Sequence, residues 1–168
     1  MRICILTNGN FFANLILRRL FAERPEQIAG IVLSTKIYQG RSRLAALRAV
    51  WRRVGPVYFW YKASTYGLFM AAGAAFRRTP FFVPQLAARH GVPVVPAQDV
   101  NAPSVVAQVN AWQPDVVLSV SCNQLIGPGI LAAAGRIALN AHSSLLPRYA
   151  GLAPYVWVLA NGERETGI

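Results

Sequence analysis

Continuous apolar runs alternate with amphipathic stretches along this chain, and their order predicts an alternating strand–helix fold. Arg2 to Leu6 reads as a first buried strand, ended by the turn residues Thr7-Asn8-Gly9-Asn10. A helix is expected from about Phe11 to Ala22, with Phe12, Leu15, Ile16 and Leu20 on one face and Arg18 and Arg19 outside. Ala29 to Leu33 gives a second strand, its Ile31-Val32-Leu33 run typical of a parallel strand covered on both faces. Further on, Pro84 to His90 predicts a short helix, Val92 to Val95 a third strand, Pro103 to Trp112 a helix and Val116 to Val120 a fourth strand. A brief helix near Pro128 to Ala133 leads to Ile137-Ala138-Leu139, read as a short buried strand. A helix over Ala153 to Asn161 follows, and Glu165 to Ile168 is expected to enter another strand. Residues 1–168 thus read as one α/β domain: an open, mostly parallel Rossmann-like sheet with helices on both faces and a helical insert after the second strand.

The insert, at about 36–79, departs from the minimal pattern. Ser42 suits the cap of a helix running to Val54, with Leu44, Leu47, Trp51 and Val54 on one face and Arg43, Arg48, Arg52 and Arg53 elsewhere. Gly55-Pro56 breaks it, and Val57 to Phe76 follows with Lys62 as its one charge. No acidic residue occurs between Glu26 and Asp99, whereas ten of the seventeen Lys and Arg do. Two readings stay open. One is a pair of helices packed on the sheet or on a second subunit of an oligomer; the other is a membrane-surface helix between basic flanks. A full transmembrane span is disfavoured, because the segment interrupts a βαβ core and contains Lys62, Gly67 and Gly73.

Composition narrows the class. A hydrophobic share of 54% with 14% charged residues excludes a disordered chain. The net charge of +11 points to an anionic partner such as RNA, a nucleotide or a membrane surface. Cys4 and Cys122 cannot make a disulfide framework and read as reduced core residues of a cytoplasmic protein. The first strand-to-helix turn lacks Gly-x-Gly-x-x-Gly, so a dinucleotide cofactor is not expected. His90, His142 and the two cysteines offer no zinc-ligand spacing, and no metal is expected.

The chemistry concentrates between Arg136 and Gly151. The motif strand delivers Asn140 and His142 to a strand end, where open α/β sheets place their active groups. Two residues apart on an extended backbone, the two side chains point the same way, so one can hold an oxyanion while the other moves a proton. Ser144 is better suited to fixing the loop than to attack, since nothing local supplies a base with an orienting third group. Leu145-Leu146-Pro147 makes a rigid turn, and Gly151 closes the loop before a helix.

Asn140, His142, Ser144, Leu145, Leu146, Pro147, Tyr149 and Gly151 together spell Asn-x-His-x-Ser-Leu-Leu-Pro-x-Tyr-x-Gly, which resembles the signature of the folate-dependent formyltransferases. Ala153-Pro154, Asn161-Gly162-Glu163 and Glu165-Thr166-Gly167 are also similar to that family. The resemblance implies transfer of a formyl group from 10-formyltetrahydrofolate to an acceptor amine. Asn140 would then hold the oxyanion, with His142 either a charged donor to it or the base for the amine proton. It further implies that the pterin ring lies against Gln124, Leu125 and Ile126, making backbone hydrogen bonds. Methionyl-tRNA formyltransferases carry a basic insertion after the second strand that touches the acceptor stem, and residues 36–79 occupy that place. Gly151 to Trp157 is similar to the sugar-nucleotide enzymes as well, although Leu152 replaces an arginine seen in some of them. The acceptor is thus expected to be anionic, a tRNA or a sugar nucleotide. The family's catalytic aspartate lies past the Glu-Thr-Gly segment, beyond Ile168, so the domain is expected to be incomplete at its C-terminus. Without that carboxylate, transfer by this chain alone is expected to fall on the order of 10²–10⁴. Hydrolysis of 10-formyltetrahydrofolate, and a non-catalytic binding module that keeps the fold, are the alternatives.

Overall fold

The computed structural model describes residues 1–35, 42–75, 80–151 and 154–168. Phe76, Leu152 and Ala153, which enter the readings above, and both ends of the 36–79 insert lie outside the described residues.

Among the described residues, five strands form one sheet: β1 (Ile3–Thr7), β2 (Ile28–Ser34), β3 (Val94–Ala97), β4 (Val116–Val120) and β5 (Ile137–Ala141). Their order is β3-β2-β1-β4-β5, and every neighbouring pair is parallel. Parallel neighbours need long crossovers. These are supplied by α1 (Phe11–Glu23), α2 (Arg43–Ala75), α3 (Val83–Arg89), α4 (Pro103–Trp112) and α5 (Pro128–Ala132), and α6 (Pro154–Ala160) follows β5. The fold is therefore α/β, with helices flanking the sheet and a helical insert after its second strand. β4 and α4 fall where the sequence places them. β3 starts later than Val92, because Pro93 has no N–H for a ladder and offers only its carbonyl, which accepts from the Ile31 N–H at 2.9 Å.

Side chains of β1 alternate between two cores, as a period of two demands. Ile3 and Ile5 pack with Ala13, Leu17 and Phe21 of α1 and with Val83, Leu86 and Ala87 of α3. Cys4 and Leu6 pack with Val105, Val109 and Trp112 of α4 and Ile130 of α5. On β2, Gly30 lies directly under the Trp112 indole, where a Cβ would collide with the ring.

Two burial expectations are corrected. The buried face of α1 carries Ala13, Asn14, Leu17 and Phe21, whereas Phe12, Leu15 and Ile16 are exposed and Leu20 sits at the core margin. This helix is apolar on most of its circumference, so periodicity alone selects the wrong stripe. β5 is not buried: it is the outermost strand, with Ile137 49% and Leu139 47% exposed, because no described element covers it. Likewise, residues 165–168 form no strand.

The insert helix α2 bends at Gly55, whose φ of 75° and ψ of 166° interrupt two helical stretches just before Pro56. Ser42 caps the first stretch, its Oγ accepting from the Ala45 N–H at 3.3 Å. The second stretch touches the domain through Phe69, stacked on Phe11 at 4.4 Å, and through Tyr66 beside Phe82. Leu44, Val57, Trp60 and Leu68 face solvent. Among the described residues, no helix is long and apolar enough to cross a membrane.

Candidate active site

A parallel sheet gathers its strand C-termini along one rim, and a crevice opens where the connections diverge to opposite sides. In this strand order the divergence falls between β1 and β4. A cleft of about 1320 Å³ occupies that rim. It is bordered by Asn8 and Asn10 after β1, residues 121–126 after β4, and Asn140, Ala141 and His142 at the end of β5. Its apolar wall joins Phe12, Leu15 and Ile16 of α1 to Ala138 and Leu139 of β5. Three residues of the stripe expected to face inward, Phe12, Leu15 and Ile16, thus face a cleft instead, while Leu20 stays against the core.

Asn140 stands on β5 in register with Ser119, and His142 is the first residue past the strand. Both border the cleft, and both also border a second hollow of about 330 Å³ shared with Ser144 and Leu146. The loop that follows is braced from within. Ser144 is buried, and its Oγ donates to the Arg148 carbonyl at 2.9 Å and reaches the Tyr149 carbonyl at 3.5 Å. His142 Nε2 lies 3.1 Å from that same Tyr149 carbonyl. Pro147, joined to Leu146 by a cis peptide, is exposed and does not border the cleft. Gly151 does border it, at a φ of 122° that a side chain would strain.

Of the three residues expected against a ring, Gln124 uses its side chain as a strut. Its Nε2 donates to Ser34 Oγ at 2.8 Å and to the Gln98 carbonyl at 3.0 Å, while its Oε1 accepts from the Val100 N–H at 3.1 Å. Leu125 is 91% exposed, and its carbonyl accepts from Asn101 Nδ2 at 2.9 Å. Ile126 packs on the second core. The N–H groups of Leu125 and Ile126 make no hydrogen bond within the described residues, so a flat polar ring would find open donors there.

Sequence reasoning missed several groups. Asn8 and Asn10 read only as turn residues, yet both border the cleft, and Asn10 Oδ1 also caps α1 by accepting from the Ala13 N–H at 2.8 Å. Tyr149 donates its phenol to Glu163 Oε1 at 2.8 Å, and Arg148 pairs with the same oxygen. That hydrogen bond to the Glu163 carboxylate pushes the Tyr149 phenol above the ordinary tyrosine range. Tyr149 belongs to the motif and Glu163 to the Asn-Gly-Glu run, but nothing in their spacing announces contact. Both cysteines are free, and burial pushes the Cys4 thiol up to about 12.

Residues 1–168 match a family model described as formyl transferase. The chain is 43% identical over 96 residues to the methionyl-tRNA formyltransferase of Geobacter metallireducens, a match covering 57% of this chain and 31% of that protein. It is 42% identical over 86 residues to the methionyl-tRNA formyltransferase of Trichlorobacter lovleyi, covering 51% of this chain and 27% of the relative. Each match therefore spans under a third of the curated relative. Among solved structures, glycinamide ribonucleotide transformylase 1 from Symbiobacterium toebii superposes with a TM-score of 0.55 at 17% identity, covering 96% of this chain and 60% of that one. Phosphoribosylglycinamide formyltransferase from Coxiella burnetii gives a TM-score of 0.56 at 16% identity, covering 99% and 63%. At such identities the likeness is one of fold.

Proposed function

Because this chain belongs to the formyl transferase family, we propose that it moves a formyl group from 10-formyltetrahydrofolate to an acceptor amine. The observation that carries the reading is one cleft bordered by Asn140 and His142 on one side and by residues 124–126 on the other. As substrate, 10-formyltetrahydrofolate supplies an electrophilic formyl carbon. The Asn140 side chain donates its amide N–H to the formyl oxygen as that oxygen gains charge, a contribution of about 3–4 kcal/mol. His142 takes the proton that the attacking amine must lose, and as the tetrahedral centre collapses the bond from the formyl carbon to N10 breaks, N10 receives that proton and tetrahydrofolate leaves. The open N–H groups of Leu125 and Ile126 hold the edge of the pterin, and Gln124 keeps their loop in place by its bonds to Ser34 and Gln98. Ser144, Pro147 and Gly151 shape the loop that carries the histidine.

The acceptor is an anionic amine, with methionyl-tRNA favoured over an amino-sugar nucleotide because the relatives matched at over 40% identity are methionyl-tRNA formyltransferases. The α2 insert meets the domain where Phe69 stacks on Phe11, beside Asn10 and Phe12 of the cleft, and its basic residues suit phosphates or an anionic membrane surface. Labelled formyl transfer to methionyl-tRNA and to an amino-sugar nucleotide tests the reading, with formate release measured alongside. Transfer lost in both Asn140→Ala and His142→Ala is expected. Formate release that no amine diverts would favour hydrolysis, and a biological role indifferent to both substitutions would favour a binding module. Salt-dependent tRNA affinity, against co-sedimentation with anionic vesicles, separates the two roles of the insert.

A further inference from the structure

We propose that Glu163 is a positioning residue for His142, acting through Tyr149 across the loop between β5 and α6. The inference rests on the formyl-transfer reading, in which His142 handles the proton.

The arrangement is built from local rules. Helix α6 ends in a left-handed glycine turn: Gly162 has a φ of 67°, its N–H donates to the Leu159 carbonyl at 3.0 Å, and the Glu163 N–H donates to the Val158 carbonyl at 3.1 Å. Pro154 and Val158 are buried, so the helix is anchored and the turn delivers Glu163 to a fixed place. There its Oε1 accepts from the Tyr149 phenol at 2.8 Å and pairs with Arg148, whose guanidinium also lies 5.6 Å from the centre of the Tyr149 ring. Tyr149 itself has a φ of 57°, a region that a bulky residue holds only when its surroundings enforce it. The phenol–carboxylate bond supplies that restraint.

The consequence falls on the Tyr149 carbonyl. It receives His142 Nε2 at 3.1 Å and Ser144 Oγ at 3.5 Å. A carbonyl only accepts, so the ring nitrogen facing it carries the hydrogen, and Nδ1 keeps the lone pair of the neutral ring. Among the described residues, nothing hydrogen-bonds Nδ1. The tautomer decides which nitrogen can receive a proton from an amine. Through Tyr149, then, a carboxylate that never touches the imidazole selects its proton-accepting atom.

Nitrogen NMR of the labelled chain, at a pH above the imidazole range, reads the tautomer directly. His142 signals are those missing from His142→Gln, and His90 serves as the internal reference. The wild-type ring is expected to be mainly Nε2–H. The ratio of the two tautomers is expected to fall about fivefold in Tyr149→Phe and Glu163→Ala, with His90 unchanged. Glu163→Gln, whose amide oxygen still accepts the phenol, is expected to keep most of the ratio. Tyr149→Phe keeps the ring and decides the matter if Glu163→Ala does not fold; an unaltered His142 ratio in Tyr149→Phe overturns the proposal. The readout is a ring tautomer, so a chain that binds no folate still answers it.

Discussion

Two leucines on α1, two positions apart, give the sharpest check on how the cleft is walled. Leu17 is 1% exposed and packs with Ile5 and Phe21, whereas Leu15 is 41% exposed and borders the cleft. Leu17→Ala removes a fully buried side chain and leaves a cavity, which costs about 3 kcal/mol. Leu15→Ala gives up only part of a leucine's transfer energy and leaves no cavity, so about 1 kcal/mol or less is expected. The small gain in helix propensity from Leu to Ala is the same for both and cancels in the comparison. With a urea slope of about 2 kcal/mol per molar, the two unfolding midpoints separate by about 1 M, Leu17→Ala being the lower. Urea titration of the two variants, followed by far-UV circular dichroism, measures this directly. Coincident midpoints, or a larger loss in Leu15→Ala, would refute the rotation of α1 about its axis and with it the apolar wall beside β5.

Asn140→Ala is expected to leave the unfolding free energy within about 0.5 kcal/mol of wild type, since the residue is exposed on an edge strand. Its formyl transfer should drop by about 10²–10³, and an equal drop in stability would mark the residue as structural instead. Gly30→Ala drives a methyl into the Trp112 indole and should cost about 1–3 kcal/mol, visible as a lowered melting temperature with altered tryptophan fluorescence; an unchanged melting temperature would contradict the packing of α4 on β2. Tyr149 should ionise above the ordinary tyrosine range, as a late component of an ultraviolet tyrosinate titration. The folded phenol is raised, so its stabilising contribution is whole below the ordinary tyrosine range and disappears as pH climbs through the raised value. Tyr149→Phe should remove the late component of the titration, and its persistence would rule out the contact with Glu163.

The elements most legible in the sequence were those whose limits are set by their own residues. Val116–Val120 is an apolar run broken only by Ser119, between Pro114-Asp115 and Ser121, and Pro103–Trp112 opens on proline and closes on Gln113 in a left-handed conformation. Where neighbours decide, local pattern failed. Ile137 and Leu139 look like core residues, and only the strand order reveals them at the margin of the sheet. In Phe11–Glu23 apolar side chains circle the helix, and a polar residue, Asn14, lies on the face that is buried. The candidate site shows the same division. Asn140, His142 and residues 124–126 could be named from the motif and its resemblance, and they border one cleft. The contact of Tyr149 with Glu163 could not be named, because it depends on how α6 folds back over the loop.

The outer margin of β5 has a bearing on behaviour in solution. Its backbone N–H and C=O groups on that side lack a ladder partner among the described strands, a template that recruits any extended segment presented to it. Asn140 rides on this same strand. A segment that zipped onto the margin would stiffen the pleat that aims the amide, so self-association and turnover should rise or fall together, and the measured rate would then depend on protein concentration.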